Sequence, residues 1–374
     1  MPKSFRSLRR LHRPVVVLGA VALAMTAAAC GGEAADTSAS SSDELTVVIG
    51  TGVPTVSAAP YIAVPQRLFW EEQGLDVKVE YVQGGVASNQ LILAGRADIG
   101  LNGMSGSLAA ATKSEDVRVA GVTPGNLYNI TVPGDSSYQS IKDLKGAKIG
   151  VPEIGTADYL YARAIVRASG LDPDTDVTWV PVGAADQGAS ALKSLDVVAY
   201  GAHDGTTGLI GTKLDDGLRI LPSPIADLPG TGTWTVSKKA LEDKPDLVEK
   251  FLTAQFSGAL FTETNPKAAI EIFWDANPDQ KPADDVYDST LETTAQAVDR
   301  FWTTGFAVSR YPEYGYISDE EVDELIKFHE DAGLVEGNIL DPENLFQLEY
   351  AREAIARVDR PAVEKLAHDF TLDD

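Results

Sequence analysis

Small and polar residues follow a short strand signal within residues 90–108. Asp98 and Ile99 have the pattern of the strand, and the next turn contains Asn102, Gly103 and Ser105. Glycine lets the backbone come close to a ligand, and neighbouring amide and hydroxyl groups can hydrogen-bond to it. Such a loop between a strand and a helix is where open α/β sheets bind small molecules, although an ordinary strand–turn–helix connection has the same pattern. We therefore take Asn102 and Ser105 as candidate solute-binding residues.

The residue types needed for covalent, metal or nucleotide chemistry are sparse. Cys30 is the single cysteine, which excludes an internal disulfide and any multi-cysteine metal site. Of the four histidines, only His203 lies in a loop that we expect near a cleft. The sequence contains no H-E-x-x-H motif, no G-x-S-x-G motif and no P-loop. We therefore expect no catalytic residues, no metal and no cofactor, and we predict that the protein is not an enzyme.

The first 29 residues have the pattern of a signal peptide. Five basic residues precede an apolar run at 15–24, which is too short to persist as a membrane-spanning helix. Residues 27–30 then resemble a lipoprotein cleavage site, with Ala27 where such sites usually have leucine. A stray cysteine in a cleaved signal is the alternative. We predict a signal peptide over 1–29, lipidation at Cys30 and a flexible tether over 30–43.

Size and charge limit the partners. The chain has 374 residues, 44% of them hydrophobic, which is enough for two lobes. Its formal charge is −24, and the signal region holds five basic and no acidic residues, so its removal leaves −29. Such a surface repels nucleic acid and anionic lipid. We expect no nucleic-acid partner, and any anion site would have to be built locally.

The first part of the chain alternates strands with helices. Residues 45–50 and 76–82 are β-branched strand patterns, and the loops 51–57 and 84–89 follow them. With the stretch described above, they make a β-α-β-α-β unit, the start of a doubly wound α/β sheet. Loops at strand ends of this kind line ligand sites. The candidates that these loops and the first helix add are Thr51, Val53, Thr55, Tyr61 and Gly85.

Three motifs in fixed order carry a resemblance to a known family. They are an aromatic-rich helix end over residues 60–77, a turn over 91–99 with Gly95, Asp98 and Ile99, and a strand with its lead-in over 140–151. The succession resembles the periplasmic substrate-binding proteins of ABC importers, in the branch that handles nitrate, sulfonates, taurine and thiamine-pyrimidine precursors. The resemblance covers roughly residues 45–353.

The resemblance implies an α/β fold of the type II periplasmic-binding-protein class. Each of its two lobes would be a mostly parallel sheet flanked by helices, and the cleft between them would close by hinge motion. On this interpretation residues 44–132 form the first part of lobe 1, and residues 133–236 form lobe 2. Residues 237–374 form the second part of lobe 1 and the C-terminal helices.

The resemblance also places a ligand-binding turn at the start of a helix in lobe 2. Gly155, Thr156 and Ala157 stand where related binders have glycine, serine or threonine, and a small residue. Thr156 and Ala157 would hold a polar or anionic group through the free N–H groups of the helix start. Asp158 departs from the sulfonate-binding pattern, and it either caps the helix dipole or contacts a cationic or N–H-bearing ligand.

Further acids lie in comparable loops. Asp186, His203 and Asp204 follow predicted strands of lobe 2. If two such carboxylates face the cleft, a free sulfonate is disfavoured, because like charges repel strongly in a desolvated site. A nitrogen-bearing ligand would then fit better.

Aromatic residues could stack on a planar ligand or could equally lie in the core. Tyr61, Tyr128, Tyr159 and Trp234 are the candidates, and we favour Trp234 because it lies at the inferred crossover between lobes. Asn126, in the segment that leads toward the hinge, completes the predicted solute-binding set.

These observations predict a monomeric, extracytoplasmic lipoprotein, anchored to the cell membrane through Cys30. It would capture a small organic solute in the cleft and deliver it to an ABC permease and, through the permease, to the ATPase subunit. The solute would be a nitrogen-bearing heterocycle such as a thiamine-pyrimidine precursor, or a sulfonate or taurine-type compound. A secreted enzyme or a sensor domain built on the same fold is the alternative.

Overall fold

A computed structural model describes residues 44–372. The predicted signal peptide, the lipidation site Cys30 and the tether over 30–43 lie outside the described residues. Within residues 44–372, no helix is both long and apolar enough to cross a membrane.

The first five-stranded sheet has the order β2-β1-β3-β10-β4. Its strands are β1 (Glu44–Ile49), β2 (Asp76–Tyr81), β3 (Ile99–Gly103), β4 (Val117–Val122) and β10 (Gly232–Ser237). Strand β1 pairs in parallel with β2 and β3, whereas β10 lies antiparallel between β3 and β4. The sheet is therefore mostly parallel, with one reversed strand.

The second sheet repeats this arrangement, with the order β7-β6-β8-β5-β9. Its strands are β5 (Tyr128–Pro133), β6 (Lys148–Val151), β7 (Thr178–Pro181), β8 (Ala199–His203) and β9 (Leu218–Ile220). Strand β6 pairs in parallel with β7 and β8, and β5 is the reversed strand between β8 and β9. Two mostly parallel sheets flanked by helices confirm the predicted fold class.

The two reversed strands are the ones that follow the crossings between sheets. Strand β5 pairs with β8 and β9, so the chain enters the second sheet before residue 128, whereas the sequence assigned residues up to 132 to lobe 1. Likewise all of β10 pairs within the first sheet, although the sequence assigned residues up to 236 to lobe 2. Both strands are buried along nearly their whole length, so their local pattern fits either sheet, and only the pairing partner decides.

Fourteen α-helices cover these sheets in the described part of the chain. Those of the first half are α1 (Ala63–Leu68), α2 (Gly84–Leu93), α3 (Met104–Ala111), α4 (Ala157–Ala168), α5 (Ala185–Lys193) and α6 (Asp204–Gly211). The second half adds α7 (Lys238–Asp243), α8 (Pro245–Thr264), α9 (Pro266–Ala276), α10 (Tyr287–Gly305), α11 (Asp319–Asp331), α12 (Pro342–Leu345), α13 (Glu349–Arg357) and α14 (Arg360–Asp369). Short 3-10 turns lie at Val56–Tyr61, Ile141–Leu144, Pro278–Gln280 and Asp284–Val286.

The C-terminal helices extend the first lobe and reach the second. Helix α8 is buried along most of its length and packs on α13, α14 and the 3-10 turn Val56–Tyr61. Helix α10 contacts α9 of the first lobe and α6 of the second lobe. Helix α11 begins at the capping box of Ser318 and Glu321 that the sequence predicts, and its Leu325 packs with Met104 and Val119 of the first lobe.

Candidate functional site

The loops at the strand ends of the two lobes touch each other at the β3–α3 turn. A Cβ atom placed on Gly103 would lie 2.8 Å from the Tyr128 hydroxyl oxygen and 3.0 Å from the Ala157 Cβ. A larger residue at position 103 would press on these two second-lobe side chains, so glycine suits this close approach. The start of α3 in the first lobe thus faces the start of α4 in the second, and the predicted residues Asn102, Ser105 and Ala157 lie near this contact.

A tyrosine of the second lobe reaches the N-terminus of α3. The hydroxyl of Tyr161, on α4, accepts a hydrogen bond from the backbone N–H of Ser105. The same hydroxyl lies 2.8 Å from His329 Nε2, and its ring stacks on Tyr128 with centroids 4.1 Å apart and planes 8° apart. Burial raises the pKa of Tyr161, so the group is a neutral hydroxyl.

The tautomer of His329 follows from its second contact. Its Nδ1 lies 2.7 Å from the Leu325 carbonyl oxygen, which can only accept, so Nδ1 carries the proton. Nε2 is then the acceptor for the Tyr161 O–H. The imidazole is fully buried, and burial lowers the pKa of His329 to about 4. His329 is therefore neutral over the physiological range.

The first lobe holds uncharged polar groups without protein partners. Asn102 Nδ2 donates to Asn89 Oδ1 over 3.2 Å. Around this pair, four atoms are buried without a hydrogen-bond partner: Ser88 Oγ, Asn89 Nδ2, Asn102 Oδ1 and Ser105 Oγ. Gly85 adjoins them, since its Cβ would lie 3.7 Å from Asn102 Oδ1. We call Ser88, Asn89, Asn102 and Ser105 the amide–hydroxyl cluster; it offers both donors and acceptors to a small molecule or to water.

In the second lobe, by contrast, polar side chains bind the backbone. Asp158 Oδ1 accepts from the His203 N–H over 2.7 Å, and Thr156 caps α4 by accepting from the Tyr159 N–H over 3.3 Å. His203 Nδ1 accepts from the Gly205 N–H over 3.1 Å and thereby caps α6. These three side chains hold the helix starts in place.

Asp204 is buried and paired. Its Oδ1 accepts from the Asn129 side-chain amide and from Arg300 Nε, the latter over 3.0 Å. Burial raises the pKa of Asp204, and the Arg300 cation opposes that rise. Because Arg300 lies on α10, this ion pair joins the C-terminal helices to the second lobe. Asp204 Oδ2 is buried without a hydrogen-bond partner.

Three predicted residues lie away from this contact. Asp186 is 75% exposed and pairs with Lys213 on the surface. Trp234 lies in the core of the first lobe, where its ring packs edge-on against Phe256 and does not line an open cleft. Asn126 is buried, and its side-chain amide is occupied by backbone groups of the crossing segment.

The other predicted residues are distributed around the first-lobe loops. Thr51 donates to the Val53 carbonyl in an exposed turn, and the Thr55 hydroxyl lies 3.0 Å from Ser57 Oγ. Tyr61 is buried and packs on Phe306 with ring centroids 5.0 Å apart. The contacts of Thr51, Thr55 and Tyr61 thus lie within the first lobe and the C-terminal segment.

Sequence reasoning missed Tyr161, His329 and Arg300. Tyr161 lies one helical turn after Asp158 on α4, and this spacing was a usable signal. No local spacing indicated His329 or Arg300, because they meet their partners across 168 and 96 residues of sequence.

The first lobe also has a cavity away from the interlobe contact. This cavity of about 260 Å³ lies at the outer edge of the first sheet, between β2 and α9, and shares only Thr55 with the predicted set. Among residues 44–372, no group of three or more His, Cys, Asp or Glu side chains is arranged to hold a metal ion.

The comparison of the chain with family models identifies its family. The model described as NMT1/THI5 like matches residues 55–269, more than half of the chain. The chain belongs to the NMT1/THI5-like family. This match includes both helix starts at the interlobe contact.

Known proteins similar to this NMT1/THI5-like chain are distant in sequence. A Brucella abortus protein named as a binding protein is 24% identical over 210 residues, which are 55% of this chain and 64% of the relative. The riboflavin-binding protein RibY of Chloroflexus aurantiacus is 23% identical over 224 residues, 59% of this chain and 63% of RibY. The match thus spans less than two thirds of these relatives.

Similarity to solved structures covers more of the chain. The alkanesulfonate-binding protein SsuA of Xanthomonas axonopodis pv. citri, bound to MOPS, aligns with a TM-score of 0.58 at 16% identity, over 80% of this chain and 96% of SsuA. At this identity the likeness shows the fold alone. This NMT1/THI5-like protein therefore has the fold of the periplasmic solute-binding proteins of ABC importers.

Proposed function

We propose that this protein is an extracytoplasmic solute-binding protein that captures a small organic solute between its lobes and presents it to an ABC permease. The observation that carries the proposal is the amide–hydroxyl cluster beside the contact between the α3 and α4 N-termini. Buried polar groups without partners cost roughly 1–3 kcal/mol each, and a bound solute would recover that cost. Relatives and structural neighbours named as binding proteins support this function.

The solute is proposed to be neutral or nitrogen-bearing rather than a free anion. The amide–hydroxyl cluster is uncharged and offers donors and acceptors together, as the edge of an aminopyrimidine or a similar heterocycle requires. Of the three acids that first suggested such a ligand, Asp186 is on the surface and Asp204 is neutralised by Arg300. The charge argument therefore rests on Asp158, which is half-buried beside His203.

The remaining proposals concern the cell. Lipidation at Cys30 would tether the protein to the membrane near its permease, and the acidic charge of the chain gives no reason to expect a nucleic-acid partner. We propose a monomer, because a single chain supplies both sides of the interlobe contact.

A thermal-shift screen tests the proposal. The panel contains aminopyrimidines, riboflavin, sulfonates, nitrate and polyamines. A solute at 100 times its Kd adds about 2.7 kcal/mol to the free energy of unfolding, a rise in Tm of a few degrees. We expect a nitrogen-bearing compound to produce the shift, and we expect Asp158→Asn to reduce it.

The exposed acid of the same lobe provides the matched control, since Asp186→Asn removes the same charge and should leave the shift unchanged. A shift with sulfonates alone would contradict the proposed solute class. Absence of any shift, together with absence of a co-purified solute in native mass spectrometry, would contradict the binding function.

A further inference from the structure

An unbroken hydrogen-bond chain links the lobes at the N-terminus of α3. The Ser105 N–H donates to the Tyr161 hydroxyl, the hydroxyl donates to His329 Nε2, and His329 Nδ1–H donates to the Leu325 carbonyl. Ser105 and His329 belong to the first lobe, whereas Tyr161 belongs to the second. Two first-lobe groups therefore hold one second-lobe hydroxyl from both sides.

A second contact joins the same two helices. The Arg167 guanidinium, on α4, donates to the Ala332 carbonyl just after the end of α11. Helix α11 itself is fixed to the first lobe, because Leu325 and Ile317 pack with Met104 and Val122. Helix α11 is thus a first-lobe element. It and the residue that follows it make two hydrogen bonds to α4 of the second lobe.

We propose that His329 is a positioning residue that, as a neutral imidazole, holds the Tyr161 hydroxyl on the first lobe and so keeps the two lobes closed, and that acid opens them. The consequence of this opening for solute release rests on the proposed binding function, whereas the effect of His329 on lobe closure does not.

Protonation of His329 removes the acceptor of the hydrogen bond from the Tyr161 hydroxyl. An imidazolium has two donors and no acceptor, so it cannot receive the Tyr161 O–H. From α4, the group that faces the imidazole is the neutral hydroxyl of Tyr161, whereas the Arg167 cation bonds to the Ala332 carbonyl beyond the end of α11. On α11 itself the nearby charges pair with each other in solvent, as Lys327 does with Asp331.

The direction of the pH effect follows from linkage. In the closed arrangement burial holds the pKa of His329 at about 4, and withdrawal of α4 would admit water and return it toward the ordinary value of about 6.5. The open form then binds the proton more tightly, so closure is complete above pH 6.5 and weakens as the pH falls toward 4. Between pH 7.5 and 5.5 these two values lower the closed-to-open ratio by about tenfold.

The test measures lobe separation directly and without solute. In the full chain, Cys30→Ser removes the native thiol, and spin labels are attached through Gln90→Cys on α2 and Lys193→Cys on α5, both exposed. Double electron–electron resonance at pH 7.5 and 5.5 should show a ratio of longer-distance to shorter-distance population that rises about tenfold in acid. A distance distribution that does not change with pH would overturn the proposal.

Substitutions assign the response to His329. Glutamine can accept the Tyr161 hydroxyl but does not titrate, so His329→Gln should abolish most of the acid response while the lobes stay closed. His368→Gln removes an exposed histidine of α14 and should leave the response intact. An unchanged acid response in His329→Gln would assign it to another group, such as His203, and would refute the role of His329.

The hydroxyl is tested separately. Tyr161→Phe should raise the open population at pH 7.5, and this population should then no longer depend on the protonation of His329. Tyr159→Phe, two residues earlier on α4, should leave the open population unchanged. Solute affinity measured on the same samples then separates the two proposals. Acid-induced lobe opening in a protein that binds no solute would support the role of His329 and contradict the binding function. Solute binding without acid-induced lobe opening would support the binding function and contradict the role of His329.

Discussion

The two lobes share one strand order, yet they use their polar residues differently. In the second lobe Thr156 and His203 cap α4 and α6, and Asp158 accepts from the His203 backbone. In the first lobe α2 and α3 have no side-chain cap, and the amide–hydroxyl cluster keeps unpartnered atoms. The second lobe has unpartnered acceptors too, among them Asn129 Oδ1 and Asp204 Oδ2, on two side chains that bond to each other beside Arg300.

This contrast indicates that a polar residue at a strand end is evidence for a ligand only if the fold leaves it free. A cap or a backbone contact satisfies a side chain and removes it from solute recognition, whereas an unsatisfied buried group favours any partner that can reach it. The first lobe is therefore expected to set most of the solute identity, and the second to set the geometry of closure. Asp158 is the exception, because its Oδ1 accepts from the His203 N–H while its Oδ2 has no hydrogen bond to a described residue.

The largest expected effect comes from the ion pair that holds α10 on the second lobe. Arg300→Met keeps the aliphatic stem but leaves the Asp204 carboxylate buried without its cation. Removing one member of a buried pair costs about 3–5 kcal/mol, and because Arg300 is 58% exposed we expect about 2 kcal/mol at pH 7.5. Urea unfolding at two pH values measures this loss.

The loss should shrink in acid. Burial already raises the pKa of Asp204, and losing Arg300 raises it further, so the folded variant takes up a proton before the unfolded chain does. The folded state therefore gains stability as the pH falls through this raised pKa toward the ordinary value near 4. Arg310→Met, an exposed arginine, is the control. An equal loss at pH 7.5 and pH 5 would show that packing rather than charge fixes α10.

A smaller effect compares two serines of α3. Ser107 Oγ bonds with Thr233 and Thr235, whereas Ser105 Oγ has no partner. Ser107→Ala should cost about 1 kcal/mol in the free energy of unfolding and leave solute affinity unchanged. Ser105→Ala should cost nothing in stability but weaken the binding of a hit from the thermal-shift screen, as calorimetry would show. Equal stability losses would refute the distinction between satisfied and free groups.

The same physics explains how far the sequence could lead. The β-α-β unit and the Ser318 capping box are local patterns, and local spacing was enough to predict them, whereas the family resemblance placed Thr156 at a helix start. Trp234 was misplaced because strand side chains alternate: its neighbours Thr233 and Thr235 meet Ser107, and Trp234 faces the opposite side toward Phe256. Helices cover both sides of this sheet, so hydrophobicity could not tell which side was core.

The interlobe contacts of His329 and Arg300 are a different case. Each depends on where a C-terminal helix finally packs, and no pattern within α10 or α11 records its partner. Sequence reasoning could therefore find the loops of the site but not the helices that close it.

The smallest expected effect concerns the cap of α4. The Thr156 hydroxyl accepts from the Tyr159 N–H over 3.3 Å and donates to the Glu153 carbonyl over 2.9 Å. Thr156→Ala should cost about 0.5–1 kcal/mol in thermal or urea unfolding, and Thr156→Ser, which keeps the hydroxyl, should recover most of it. Solute affinity should change no more than stability does, because the hydroxyl is already occupied. If Thr156→Ala instead weakens solute binding and leaves the unfolding free energy unchanged, the hydroxyl must leave its cap for the solute. The second lobe would then recognise the solute as the first does, and the contrast between the lobes would fail.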